Sequence, residues 1–200
     1  VEETGFAMAI AMMLPTATPM LRTYSEIADT AIEQGRRIVS PLVLAAGYLT
    51  IWSTFAIAAT GLQWALGLVG GLSSTGAIAS AGIAIAVLAG AGLYQFTNQK
   101  AACLIKCANP FPFLFANLTE RTNGVYRLGL REGVHCLMCC WALILVMFAV
   151  GTMNIIWIAI LTVVMTAEKL IGARWFSRVI GIALLSWAIV AAAGLPLGGL

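Results

Sequence analysis

Charge is scarce in this sequence. Only 10% of its 200 residues are Asp, Glu, Lys or Arg, while 61% are hydrophobic. A soluble globular domain carries about a quarter charged residues, so an ordinary soluble fold is disfavoured from the outset. Histidine occurs once, at His135. A single imidazole excludes bis-histidine haem and the two-copper electron-transfer centre of oxidases. A carboxylate-bridged di-iron site lacks its Glu/His set. Hard cations want many oxygen ligands, and the cysteine-rich region offers at most one carboxylate. There is no basic tract with interleaved aromatics, so nucleic acid is not a partner. Ser53, Ser73 and Ser74 lack a nearby histidine on the same side of the membrane, so hydrolase chemistry has no supporting constellation. The acidic residue nearest a span is Glu168, at its end, which argues against proton-coupled transport or an ion channel. The chain opens Val1-Glu2-Glu3, without the charged n-region of a signal peptide. An upstream segment, either a further span or a cleaved signal, is expected.

What is abundant is apolar sequence. Six apolar segments run over 5–21, 39–65, 76–96, 134–150, 154–168 and 175–195. A spanning helix needs about 20 such residues. The eleven Lys and Arg fall between segments one and two, three and four, and five and six, or at the start of six. If all six span, every positive charge lies on one side, which the positive-inside rule assigns to the cytoplasm. The expected fold is an all-α polytopic membrane bundle of about six transmembrane helices. It forms a single domain over 1–200, with the lipid bilayer as its first partner. The 67–76 and 151–153 turns then face out, and "GTMN" at 151–154 reads as a tight hairpin. In the third segment Gly82, Ala86 and Gly90 form a small-residue groove for a close neighbour.

The connection over 97–133 folds over the cytoplasmic side and carries a C-x-x-x-C motif. Residues 98–108 have helical character, and Asn109-Pro110 ends the helix. Phe111, Phe113 and Phe115 follow, on the membrane surface or under a neighbouring helix.

All five cysteines lie on the inferred cytoplasmic side, where thiols stay reduced. Cys103 and Cys107 are spaced i, i+4, which puts both sulfurs on one helical face. In "GVHCLMCCW" at 133–141, His135 with Cys139, and Cys136 with Cys139 and Cys140, share faces in the same way. Soft ligands of this kind suit Cu(I), zinc or an iron–sulfur cluster. The candidate metal ligands are Cys103, Cys107, Cys136 and Cys139, with Cys140 as an alternate and His135 the least secure. Glu168 falls level with His135 if the hairpin turn is centred near residue 152, which makes it a candidate outer partner. Met8, Met12, Met13 and Met20 bracket Pro15 and Pro19 in the first segment. Thioethers are good Cu(I) ligands, so Met12 and Met13 are candidates for a pathway. Filling gaps in helix packing is the more ordinary role for methionine.

Three stretches carry a resemblance: "AMMLPTATPM" near the start, "YQFTNQKAACLIKCANP" at 94–110, and "GVHCLMCCWALILVMFAVGTMNIIWIAILTVVMTAEK" at 133–169. Together they resemble a bacterial family of integral membrane proteins predicted to bind metal, whose domain has no assigned function. The likeness covers nearly the whole chain. The family pattern is met at Met12, Met13 and Pro15, at Cys103 and Cys107, and at Cys136, Cys139, Cys140 and Trp141. It is met again at Gly151, Met153 and Asn154, and at Glu168 and Lys169. Position 135 varies in that family.

These features lead to a membrane protein that handles or delivers Cu(I) or zinc at a cysteine-rich site, and lean away from an enzyme without deciding the matter. One alternative is an accessory subunit of a larger membrane complex, with partner subunits and a structural metal. Another is a membrane thiol oxidoreductase using Cys136 and Cys139.

Overall fold

The fold is described by a computed structural model, covering residues 2–35, 38–71, 78–151 and 155–193; within the first helix the side chains described are those of Met13 and of residues 17–33. All eight elements are helices: α1 (Glu2–Glu33), α2 (Pro41–Leu68), α3 (Ala81–Tyr94), α4 (Asn98–Ala108), α5 (Phe111–Ala116), α6 (Thr122–Val150), α7 (Ile155–Ile171) and α8 (Arg174–Ala192). The all-α expectation holds. The hairpin at 152–154, residues 72–76 of the 67–76 turn, and the side chains of Met8 and Met12 lie outside the described residues.

Among the described residues three helices, fewer than the six expected, are long and apolar enough to cross a membrane: α2, α6 and α8. A fourth span results if α3 and α4, bent by 67°, count as one broken crossing. Most of the side chains of segment one, in the first half of α1, lie outside the described residues. α3 is only 14 residues long and α7 only 17. At 1.5 Å per residue, 17 residues reach about 25 Å, short of a hydrocarbon core of about 30 Å.

Local chemistry explains the boundaries that position the site. Pro41 occupies the first turn of α2, and the Ser40 side chain accepts from the Leu42 N–H. Thr97 caps α4 by accepting from the Lys100 N–H. At the other end, Asn109-Pro110 stops α4 after Ala108, as the residues predict. Between α7 and α8 the chain reverses through Gly172, whose φ of 61° suits glycine.

The bundle is organised around α6. Fourteen of its residues are buried, against four in α2, because α2, α3, α4 and α7 all pack on it. The α2–α6 seam is made by glycine. A Cβ on Gly129 would strike the Leu44 carbonyl, and one on Gly133 would sit 2.9 Å from the Ile51 Cβ. Gly92 and Gly181 do the same for α3 and α8, where a Cβ on Gly181 would lie 2.6 Å from the Phe96 ring. The anticipated groove of Gly82, Ala86 and Gly90 is exposed, and the buried stripe of α3 is Ala84, Leu88, Ala91 and Gly92. Close approach therefore uses glycines that the four-residue spacing in α3 does not mark.

Gly129→Val is expected to push α2 off α6. Overpacking of this kind costs about 1–3 kcal/mol. A lower melting temperature of the purified protein in detergent checks it. An unchanged melting temperature would show that the seam is softer than described.

Candidate metal centre

The bend between α3 and α4 lays α4 across α6 and α7. On α4, Lys100, Cys103, Leu104 and Cys107 share one face, at i, i+3, i+4 and i+7. That face turns inward. Leu104 and Lys100 are each 1% exposed, and both cysteines are half-buried. On α6, Cys136, Cys139 and Cys140 are fully buried. Cys107 is brought beside Cys139, and Cys103 faces the same thiol from one turn earlier. The two halves of the predicted site thus meet.

Two buried lysines surround this cluster. Lys169 on α7 donates to the Cys136 sulfur at 2.9 Å, and the Tyr48 hydroxyl of α2 lies 3.0 Å from the same sulfur. Lys169 is 6% exposed, and a thiol sulfur, not a carboxylate, receives its hydrogen bond. Lys100 pairs with Glu168 at 2.7 Å and also donates to the Cys139 carbonyl. The second Glu168 oxygen accepts from Ser177 Oγ at 2.5 Å. This chain of contacts links α4, α6, α7 and α8 behind Cys139. Each buried polar group in it has a partner, as burial requires.

His135 and Glu168, level in the sequence-based hairpin, do not pair. Glu168 is taken by Lys100 and Ser177. The His135 ring packs edge-on against Phe113, with centroids 5.4 Å apart, and its Nδ1 is buried without a hydrogen-bond partner. Glu132, one turn before Cys136, is 3% exposed, and its Oε1 also lacks a partner. Met13 is buried at 2%, as is Met20 at 6%.

Among the described residues, no three His, Cys, Asp or Glu side chains converge tightly enough to hold an ion as they stand. The thiol rotamers give the reason. Cys139 and Cys140 both turn back along α6 and donate their S–H to the Cys136 carbonyl, at 3.1 and 2.9 Å. Those hydrogen bonds exist only while the sulfurs are protonated.

Spacing alone does not reveal Lys100, Lys169, Tyr48 or Ser177 as parts of the centre. A charged residue at the end of an apolar segment reads as a flank reaching for water. The one available signal was that Lys100 shares its helical face with Cys103, Leu104 and Cys107.

Residues 5–191 match the family model described as PpoB2, copper chaperone. The chain belongs to the PpoB2 copper chaperone family. No curated protein and no solved structure matches it. For a PpoB2 protein the ion to be accommodated is copper, as cargo. The donor set fits it: five thiols in the described region and one imidazole, with the Glu168 carboxylate taken by Lys100. Soft thiolates select Cu(I). The metal-related resemblance seen in the residues thus agrees with the family, and of copper and zinc the family supports copper.

Proposed function

We propose that this protein is an integral membrane carrier of Cu(I). It takes the ion at Cys103 and Cys107 and holds it between Cys107, Cys136 and Cys139, with Cys140 as a reserve donor. The observation that carries this reading is the junction of α4 and α6, where a half-buried thiol pair meets a fully buried one. Exposure sets the direction of travel. Cys107 stands between the outer face of α4 and Cys139, which is 1% exposed. An ion passed between neighbouring thiolates never has to leave sulfur, so it is never free. Delivery is the reverse of the same path.

The buried lysines support ion handling over mere packing. Thiols must lose protons to bind copper, and the resulting negative sulfur cluster in an apolar bundle needs a counter-charge. Lys169 supplies one in contact with Cys136. The Lys100–Glu168 pair is internally balanced and keeps the Cys139 backbone in place. Membrane integration is supported by α2, α6 and α8, and by outward apolar side chains such as Leu42, Ile57 and Trp64, each at least 70% exposed.

Element-resolved metal analysis of the intact protein, purified under reducing conditions, is the test. About one copper per chain is expected after incubation with a Cu(I) donor. The Cys103/Cys107/Cys136/Cys139 quadruple serine variant should carry none. A folded wild-type protein that stays metal-free would overturn the reading.

A further inference from the structure

A second polar cleft lies on the far side of Ser177 from the cysteines, where α3 turns into α4 and α8 begins. It is small, about 30 Å³, and is lined by Gln95, Phe96, Thr97, Asn98, Ala101, Arg174, Ser177 and Arg178. Two helix N-termini meet here. α4 starts at Asn98 and α8 at Arg174, and α8 has no side-chain cap for its first N–H groups. Such ends leave backbone donors unpaired and carry the positive end of the helix dipole. Arg174 and Arg178, one turn apart on α8, add two guanidinium groups. Among the described residues no carboxylate pairs with either.

The independent sign of a ligand is Gln95. Its side chain is 4% exposed, it lines the cleft, and neither its Oε1 nor its Nε2 has a hydrogen-bond partner. A buried amide left unpaired is costly and calls for an occupant. The close approach at Gly92 and Gly181 holds Gln95 against α8 and prevents it from swinging out. Glu168, reached through Ser177, does not oppose a negative ligand, because Lys100 balances its charge.

We propose that this cleft binds a phosphate group. Two helix N-termini, two arginines and an amide donor are the groups that recognise a tetrahedral oxyanion. Around it, Leu93, Trp175, Val179 and Ile182 are all more than half exposed and form an apolar surface on α3 and α8. That surface suits the acyl chain of an anionic phospholipid whose headgroup phosphate enters the cleft. Basic pockets between helices at the cytoplasmic boundary favour such headgroups. The site is separate from the copper path and does not depend on copper binding.

The full chain in neutral detergent tests this by thermal melting with three additives: phosphatidylglycerol, a diacylglycerol with the same acyl chains, and inorganic phosphate. Stabilisation by phosphatidylglycerol but not by diacylglycerol is expected, and marks the headgroup as the bound part. Inorganic phosphate alone giving the full effect would assign the cleft to free phosphate, and would equally support phosphate recognition. Arg174→Gln/Arg178→Gln should weaken phosphatidylglycerol binding, read by native mass spectrometry, by roughly tenfold or more. Gln95→Leu removes the unpaired amide. It should leave the lipid-free melting temperature unchanged or raised while weakening lipid retention. Equal stabilisation by diacylglycerol and phosphatidylglycerol, or undiminished retention in both variants, would overturn the proposal.

Discussion

Cys139→Ser is expected to lower Cu(I) affinity by more than about a hundredfold, the largest effect of any single replacement in the centre. Cys139 is the thiol that touches both halves of the site, beside Cys107 on α4 and sharing the Cys136 carbonyl with Cys140. Serine keeps the fold. Its hydroxyl donates back along the helix as the thiol does, because such bonds to the preceding turn are normal for serine. What serine removes is the soft donor. Cys140→Ser should cost far less, since Cys140 points to the Cys136 and Leu137 carbonyls and only stands in reserve. Competition titration against a Cu(I) chelator measures both. Infrared spectra of the wild type give an independent check. Copper loading should abolish the S–H band of Cys139, because its hydrogen bond to the Cys136 carbonyl cannot survive loss of the proton. Equal losses in the Cys139 and Cys140 variants would mean that the two thiols share the ion, against the geometry.

The second large effect concerns stability. Lys100→Met is expected to destabilise the protein by about 3–5 kcal/mol, because it strands a buried carboxylate at Glu168. Both partners of this pair are at most 3% exposed, so water cannot take the place of the lost ammonium. The same change leaves the Cys139 carbonyl without its lysine donor. Lys100→Met combined with Glu168→Met removes both charges. It should recover most of the loss, since an apolar replacement of a whole buried pair is often neutral. Denaturation of the detergent-solubilised protein compares the three forms. If the single and double variants melt together, the ion pair is not what holds α4 to α7. Copper affinity should fall even in the double variant, because the Cys139 backbone has lost its tether.

Much of this architecture is legible in the residues. Helical periodicity is a local property of the backbone, so an i, i+4 spacing places Cys103 and Cys107 on one face whatever surrounds them. Asn109-Pro110 ends α4 for an equally local reason, since proline cannot supply the next helical N–H. The scarcity of charge reflects the environment the surface must meet. Spans were harder to count than helices. Length decides whether a helix crosses, and α3 and α7 stop short of the bilayer's thickness.

Partnerships were less legible. Glu168 read as level with His135, yet its carboxylate meets Lys100 and Ser177. Lys100 and Lys169 count in the sequence only as positive charges between apolar segments, yet both are buried among the described residues. Two non-local events produced those contacts: the 67° bend that swings α4 onto α6, and the glycine seam that lets α2 bring Tyr48 to Cys136. Composition and spacing settle that the chain is helical, oily and armed with soft ligands on defined helical faces, because each of those properties is local. Packing settles which faces meet and how each buried charge is answered. Those outcomes depend on how closely distant backbones approach, and no local pattern encodes that distance.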